Sequence, residues 1–491
     1  MPSSRCSSSE DGPIIKVSDE STPLLSAITS GPITEPVEAA PQPNGIYDQD
    51  EDAPLPKVQI FLLCIARIVD PIAFFTIFPY INQMIKDTGV KEVDVGFYSG
   101  LIESLYSATQ MCVMIFWGKA SDRFGRKPIL ALSLYGIMVA TALFGMSKTL
   151  GQMILFRCTA GVFAGTLVTV RAMITENSTK KTQARAFTYF AFAGNLGVFI
   201  GSFLGGGLES PAKKFPSTFG RIAFFREYPY AFPGFVVAFI GLIAAILATF
   251  FINETLHFHR GRKSDAPPMS TWELIKAPGV KQVMMIFNYV SLLAFAYTAA
   301  HPVFLFTSVK LGGIGFTPSL IALFLALAGA SQAFWLLVVF PPLHRRLGTG
   351  FILRACAIAW PFFFLVSPMC NILLRYDHKI VFWILAPTAL AIGSGVAMAF
   401  IASQLIVNDI APSHETLGEL NALVLAVSSG LRAVVPAGST TLYAIGVKYH
   451  IFGGQMFWML LIIIACGLIF LLRVLPEKAE GRPQPEESEQ A

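Results

Sequence analysis

Residues Gly118–Leu130 read GKASDRFGRKPIL, and the reading of this stretch decides the fold. It packs one acid (Asp122), four bases (Lys119, Arg123, Arg126, Lys127), two glycines (Gly118, Gly125) and a proline between two long apolar runs. Lys and Arg accumulate in the short cytoplasmic connections of membrane proteins. A charged, glycine-containing stretch between apolar runs is therefore expected to be a tight cytosolic loop joining two membrane helices.

The composition agrees. Of 491 residues, 54% are hydrophobic and only 14% charged, against about 25% charged in an ordinary soluble domain. Most of the chain must therefore face lipid or other parts of the protein. The net charge of +5 comes with no basic stripe or aromatic-basic module, which argues against a nucleic-acid partner. The seven cysteines show no CxxC or Cys/His spacing, so neither a disulfide framework nor a metal site is expected. No GxxxxGK[ST], HExxH or GxSxG motif occurs, so ATP-driven transport by this chain alone and hydrolytic catalysis are not expected, nor is any cofactor.

An all-α integral membrane protein follows from the apolar runs. A helix needs about 20 mostly apolar residues to cross a ~30 Å core. Twelve candidates occur, at 58–79, 97–117, 128–147, 150–173, 185–208, 231–253, 282–308, 318–341, 350–371, 379–402, 417–443 and 453–473. The longest polar connection with clustered bases (Arg260, Arg262, Lys263) lies after the sixth. The expected organisation is a disordered cytosolic tail at 1–56, a six-helix bundle at 57–253 and a cytosolic linker at 254–281. A second six-helix bundle at 282–475 and a tail at 476–491 complete it. Glu20, Leu24 and Leu25 have the form of an acidic dileucine sorting signal, and a chance Leu-Leu pair is the open alternative. Basic residues in connections 2–3, 4–5, 6–7 and 8–9 put both termini in the cytosol, with 209–230 as an exception that carries Lys213, Lys214, Arg221 and Arg226.

Charged residues inside the spans are the candidate site. Arg67 and Asp70 lie one turn apart in helix 1, Glu103 in helix 2 and Arg157 in helix 4. At 1.5 Å per residue, Asp70 lies roughly 18 Å from the cytosolic end of its helix, and Glu103 and Arg157 each roughly 9 Å from an outer end. Such groups cost at least ~2.5–3.5 kcal/mol each on insertion scales, so they should face the bundle interior and pair with one another. Either a proton or substrate site or a static ion pair joining helices 1, 2 and 4 satisfies that requirement. Phe74, Tyr106, His301 and Arg432 are candidate cavity residues, as are Phe75 and Tyr297.

Three stretches together resemble the major facilitator superfamily. Gly118, Asp122, Gly125, Arg126 and Lys127 match its helix 2–3 signature G-x-L-a-D-r-x-G-r-k, with Ala120 and Ser121 in place of Leu and Ala. Arg157, Gly161 and Gly165 resemble its helix 4 pattern R-x-x-q-G-x-x-x-g, with Ala160 for the glutamine. Gly197, Gly201, Ser202, Gly205 and Gly206 resemble the antiporter motif of helix 5, with Ser202 for the proline; ordinary glycine packing is the alternative. The 211–233 connection and Asn253-Glu254-Thr255-Leu256 look like the fungal twelve-span drug:proton antiporter branch, similar to zinc-induced-facilitator-like carriers.

The resemblance implies two pseudo-symmetric six-helix bundles that bind cargo between them and expose it alternately. It also implies that Asp122 meets the N-terminus of helix 11, near Asn408, Asp409, Glu415 and Glu419, latching an outward-facing state. Arg345-Arg346-Leu347-Gly348 would be a degenerate second copy of the signature. His301-Pro302 is expected to break helix 7 and make it a candidate gate. His257 and His259 lack the carboxylates of a metal site.

The expected function is proton-coupled export of an organic solute by a monomer in the bilayer, with protons and a small molecule as partners. Two carboxylates point to a neutral or cationic cargo. The plasma membrane is favoured over the vacuolar one. An uptake carrier and a non-transporting membrane sensor are the alternatives.

Overall fold

The computed structural model describes residues 54–256, 271–412, 414–476 and 480, and every regular element among them is helical. The spanning helices are α1 Lys57–Phe75, α2 Glu92–Phe124, α3 Arg126–Gly145, α4 Leu150–Glu176, α5 Lys180–Leu208 and α6 Ala231–Phe251. The second half contributes α7 Val280–Phe306, α8 318–347, α9 349–375, α10 Lys379–Ile410, α11 His414–Lys448 and α12 Met456–Leu471. Ten stretches among the described residues are long and apolar enough to cross a membrane. One of them, Pro318–Arg375, runs for 58 residues, far more than the ~20 that a bilayer needs. It turns back at Gly348 (φ 78°, ψ 171°) and so supplies both α8 and α9. The twelfth, α2, is too polar to pass a hydropathy test, because it carries the site and the signature.

Apolar side chains cover the outside of the bundle. Ile115, Phe250 and Ile463 are about 70% exposed, which is tolerable where acyl chains cover them. Inside, small residues let backbones touch. A Cβ on Gly197, Gly201 or Gly205 of α5 would sit 2.8, 2.7 or 1.9 Å from the carbonyl oxygens of Ile68 and Ile72 on α1 and of Thr76, its C-cap. Packing is therefore what this stripe does in the structure. Gly206 faces the other half, where a Cβ would lie 2.0 Å from that of Ala322 on α8.

The charged stretch that opened the reading is not the loop expected of it. α2 continues to Phe124 and α3 begins at Arg126, so a single residue makes the turn. That residue, Gly125, has φ 107°, which an L side chain rarely adopts, and a Cβ there would lie 2.6 Å from the Glu254 carboxylate. Charged side chains do not break a helix that emerges into water, whereas a glycine at positive φ does. Gly118 is inside α2 with nothing near its missing Cβ. Helix 7 also departs from expectation, because α7 runs through Pro302 to Phe306 unbroken. Proline removes only one amide donor, and so near a helix end little of the ladder is lost.

The halves meet along α2–α11 and α5–α8. Their polar contacts gather at the end remote from residues 57 and 476. Asn82 Nδ2 donates to the Pro302 carbonyl (3.2 Å), the Ser308 amide to Glu92 (3.0 Å) and the Ala437 amide to Ser104 Oγ (2.8 Å). Lys448 and Asp94 add an ion pair at 3.5 Å. The basic exception at 209–230 is partly neutralised, Lys214 by Glu209 at 2.8 Å, while Glu227 pairs with Lys148. Glu20, Leu24, Leu25, His257, His259 and the 260–263 bases lie outside the described residues, as do the side chains of Glu415 and Glu419.

Candidate functional site

Arg67, Asp70 and Phe74 follow one another at i, i+3 and i+7 along a single face of α1, and α2 brings Glu103 and Tyr106 on one face at i, i+3. Both carboxylates point into the bundle, Glu103 being 8% exposed and the Asp70 side chain 14%. Asp70 accepts a hydrogen bond from Tyr106 Oη (3.1 Å) and lies 3.9 Å from Arg67 Nη1. This is a loose ion pair, well beyond charge-assisted hydrogen-bond length.

Arg157 does not pair with Glu103 as expected. Its guanidinium instead stacks on aromatic faces, 4.5 Å from the Tyr106 ring and 5.1 Å from that of Phe74. Gly161 makes this possible, because a Cβ there would lie 2.6 Å from the Tyr106 carbonyl and hold α4 off α2. Arg432, from α11 in the other half, lies 4.7 Å from the same Phe74 ring. The charges acting on Glu103 are those of Arg432 and Arg157, neither in a salt bridge with it among the described residues. Arg67 lies 4.9 Å from the Phe190 ring of α5, next to Gly194, and Arg171 of α4 lies 5.5 Å from that ring. Of the six expected cavity residues, Phe74, Tyr106 and Arg432 join the charged layer, and Phe75 packs on Phe74 and Phe78 (5.1 and 5.3 Å). His301 is apart, stacked on Tyr297 (4.8 Å) in an aromatic pocket of α7–α10 with both ring nitrogens unpartnered. Ser202 is fully buried in α5, and its hydroxyl has no partner.

A second charged cluster surrounds Gly125, at the end that carries residues 57 and 476. Arg126 pairs with Asp122 (2.6 Å) and with Glu176 at the end of α4 (2.9 Å). Glu254 accepts from the amides of Arg126 (2.9 Å) and Lys127 (3.1 Å), capping the start of α3. Burial pushes the Glu254 carboxyl up, but the amides of Arg126, Leu256, Lys127 and Thr255 outweigh it and hold it below the usual carboxylate range. Thr255 Oγ1 closes the ring by donating to Glu176. Asp122 is 62% exposed, and Arg123 lies over Phe124, its neighbour in sequence.

Arg171, Phe190 and Glu176 were not anticipated from the sequence. Arg171 and Glu176 are charges in an otherwise apolar helix, the same signal that marked Arg157. Phe190 is one of 42 phenylalanines and carries no signal of its own.

The model of a family described as Major Facilitator Superfamily matches residues 63–436. The chain is 47% identical to "Efflux pump azaK" of Aspergillus niger, covering 95% of this chain and 97% of that protein. It is 25% identical to "Protein ZINC INDUCED FACILITATOR 1" of Arabidopsis thaliana, over 79% of this chain and 84% of the other. The fold matches a bacterial homolog of the human lysosomal transporter Spinster (TM-score 0.63, 15% identity, 88% of this chain and 100% of that one). It also matches a D-xylose–proton symporter (TM-score 0.64, 11% identity, 87% and 99%).

Proposed function

The chain belongs to the major facilitator superfamily, and from that premise we propose that it exports an organic solute by alternating access, with protons as the coupling ion. That it is a membrane-embedded secondary transporter of small molecules, and not an enzyme, follows from the family and from its transporter relatives. Export draws support from the 47% identity with an efflux pump.

Proton coupling rests on one observation: Asp70 is turned into the bundle between Tyr106 and Arg67, at a distance that leaves its ion pair loose. An intramembrane carboxylate in contact with the bundle interior is a functional group by default. Protonating it removes the attraction on Arg67, and a proton shifts the balance of states only by its differential affinity for them. Glu103, under the charges of arginines from both halves, is the second proton-binding group. With the termini in the cytosol, the inter-half contacts close the outer end, and Asp122 is free to exchange Arg126 for the start of α11 when the inner end closes. Residues 57–253 and 282–475 would then rock as units joined by the 254–281 linker, in a monomer. Expulsion from the cell favours the plasma membrane.

The test is efflux from sealed vesicles under an imposed pH gradient. Flux should collapse with an uncoupler and with Asp70→Asn or Glu103→Gln. Uncoupler-insensitive flux, or unchanged flux in both variants, would remove the proton from the mechanism.

A further inference from the structure

We infer that the cargo is an organic anion, held by the arginines gathered around Asp70 and Glu103 where the halves meet. This rests on the export reading above and narrows its cargo. It reverses the sign expected from the sequence, where two acids were set against two bases.

The structure brings Arg432 to that layer beside Phe74, and places Arg171, about 21 Å along α4 from Arg157, on the Phe190 ring that Arg67 also touches, so among the described residues Arg67, Arg157 and Arg432 stand around only two carboxylates, Asp70 and Glu103. Of the four, only Arg67 has a carboxylate within salt-bridge range among the described residues, and that pair is stretched to 3.9 Å. The others rest on ring faces. Phe74 serves Arg157 and Arg432, and Phe190 serves Arg67 and Arg171. A ring face satisfies a guanidinium's charge in part and none of its N–H donors. Nε and Nη1 of Arg67, Nε and Nη2 of Arg157 and Nε of Arg171 are buried without a hydrogen-bond partner among the described residues. Arg157 is 3% exposed.

Unpaired cations are costly in a membrane and mark the route of a substrate or ion. A guanidinium with two unused donors presents a fork that fits a carboxylate, sulfonate or phosphate edge-on, which an ammonium would not satisfy as well. Phe74 and Phe190, 4% and 6% exposed, are buried supports that hold the guanidiniums in place. The labour divides accordingly. The arginines bind cargo, and Asp70 and Glu103 act as counter-charges whose protonation frees arginines instead of competing for the same ligand.

Purified full-length protein in lipid nanodiscs is titrated with three probes that share one ring system: 1-naphthalenesulfonate, 1-naphthalenemethanol and 1-naphthylmethylammonium. The sulfonate should bind at least about tenfold tighter than the ammonium, the difference expected from one charge-assisted hydrogen bond. Arg157→Gln and Arg432→Gln should each reduce that preference about tenfold, and Arg432→Lys should keep part of it. Equal or tighter binding of the ammonium would overturn the inference. So would absence of binding by all three probes, or an unchanged preference in both glutamine variants with melting temperatures like that of the parent. The selectivity arm needs no variant, so a misfolded mutant leaves the test intact. Loss of selectivity with proton-driven efflux retained would sink this inference alone; sulfonate selectivity without efflux would sink the export reading instead.

Discussion

The two halves of this transporter repeat one frame and fill it differently. Each half reverses direction on a glycine at positive φ between its second and third spans, Gly125 in one and Gly348 in the other. Around Gly125 stand Asp122, Arg126, Glu176 and Glu254; around Gly348, His344 Nε2 lies 2.9 Å from Thr349 Oγ1, and Glu480 accepts from the Gly350 amide (3.0 Å) and pairs with Arg354 (2.6 Å). The interiors differ more. The first half buries Glu103 and Arg157 and half-buries Arg67, Asp70 and Arg171, whereas the second lines its pocket with Tyr297, Phe304, Phe363 and His301, whose ring nitrogens have no partner among the described residues. Symmetry thus governs the backbone, and chemistry is concentrated on one side of it, with Arg432 the second half's contribution to the charged layer.

That contrast can be broken by exchanging charge in one half and not the other. Asp70→Asn should lower gradient-driven efflux by tenfold or more, while His301→Phe, an aromatic replacement in an aromatic pocket, should stay within about twofold. Equal losses in a vesicle flux assay would make the halves chemically equivalent. Next in size, Arg126→Gln leaves Glu176 buried without its base and should destabilise the first half by about 3 kcal/mol. A melting curve checks it, and His344→Ala, at the corresponding turn of the second half, should shift the melt far less.

Asp122→Ala sharpens the comparison at lower amplitude. Its pair with Arg126 is exposed and worth about 0–1 kcal/mol, so the melt should hardly move while transport slows several-fold. Smallest is a pH effect. The Glu254 carboxyl is depressed in the folded protein, so its contribution to the Gly125 turn is complete above the ordinary value of 4.5 and fades as pH falls through the folded value. Glu254→Gln should abolish that acid dependence in amide hydrogen exchange at Arg126 and Lys127.

The frame was legible from local signals. Twelve apolar runs and the Gly-Asp-Gly-Arg-Lys order gave the spans and the family, because span length and turn chemistry act within a few residues. Which ions face each other was not, since that depends on helix rotation and on which backbones can touch. Arg157 meets Tyr106 instead of Glu103 because Gly161 lets α4 slide against α2. The charged stretch was misjudged as loop for a related reason: its polarity marks exposure to water, and only the dihedral at Gly125 marks where the helix stops.

Phe74 sits between Arg157 of one half and Arg432 of the other, and so ties the two halves together through one ring. Any swing that draws α11 away from α1 must lift one guanidinium off the ring. A ring–cation contact yields at about 0.5–2 kcal/mol, roughly one to three times thermal energy, so it steadies the resting posture and would let go as the halves rock.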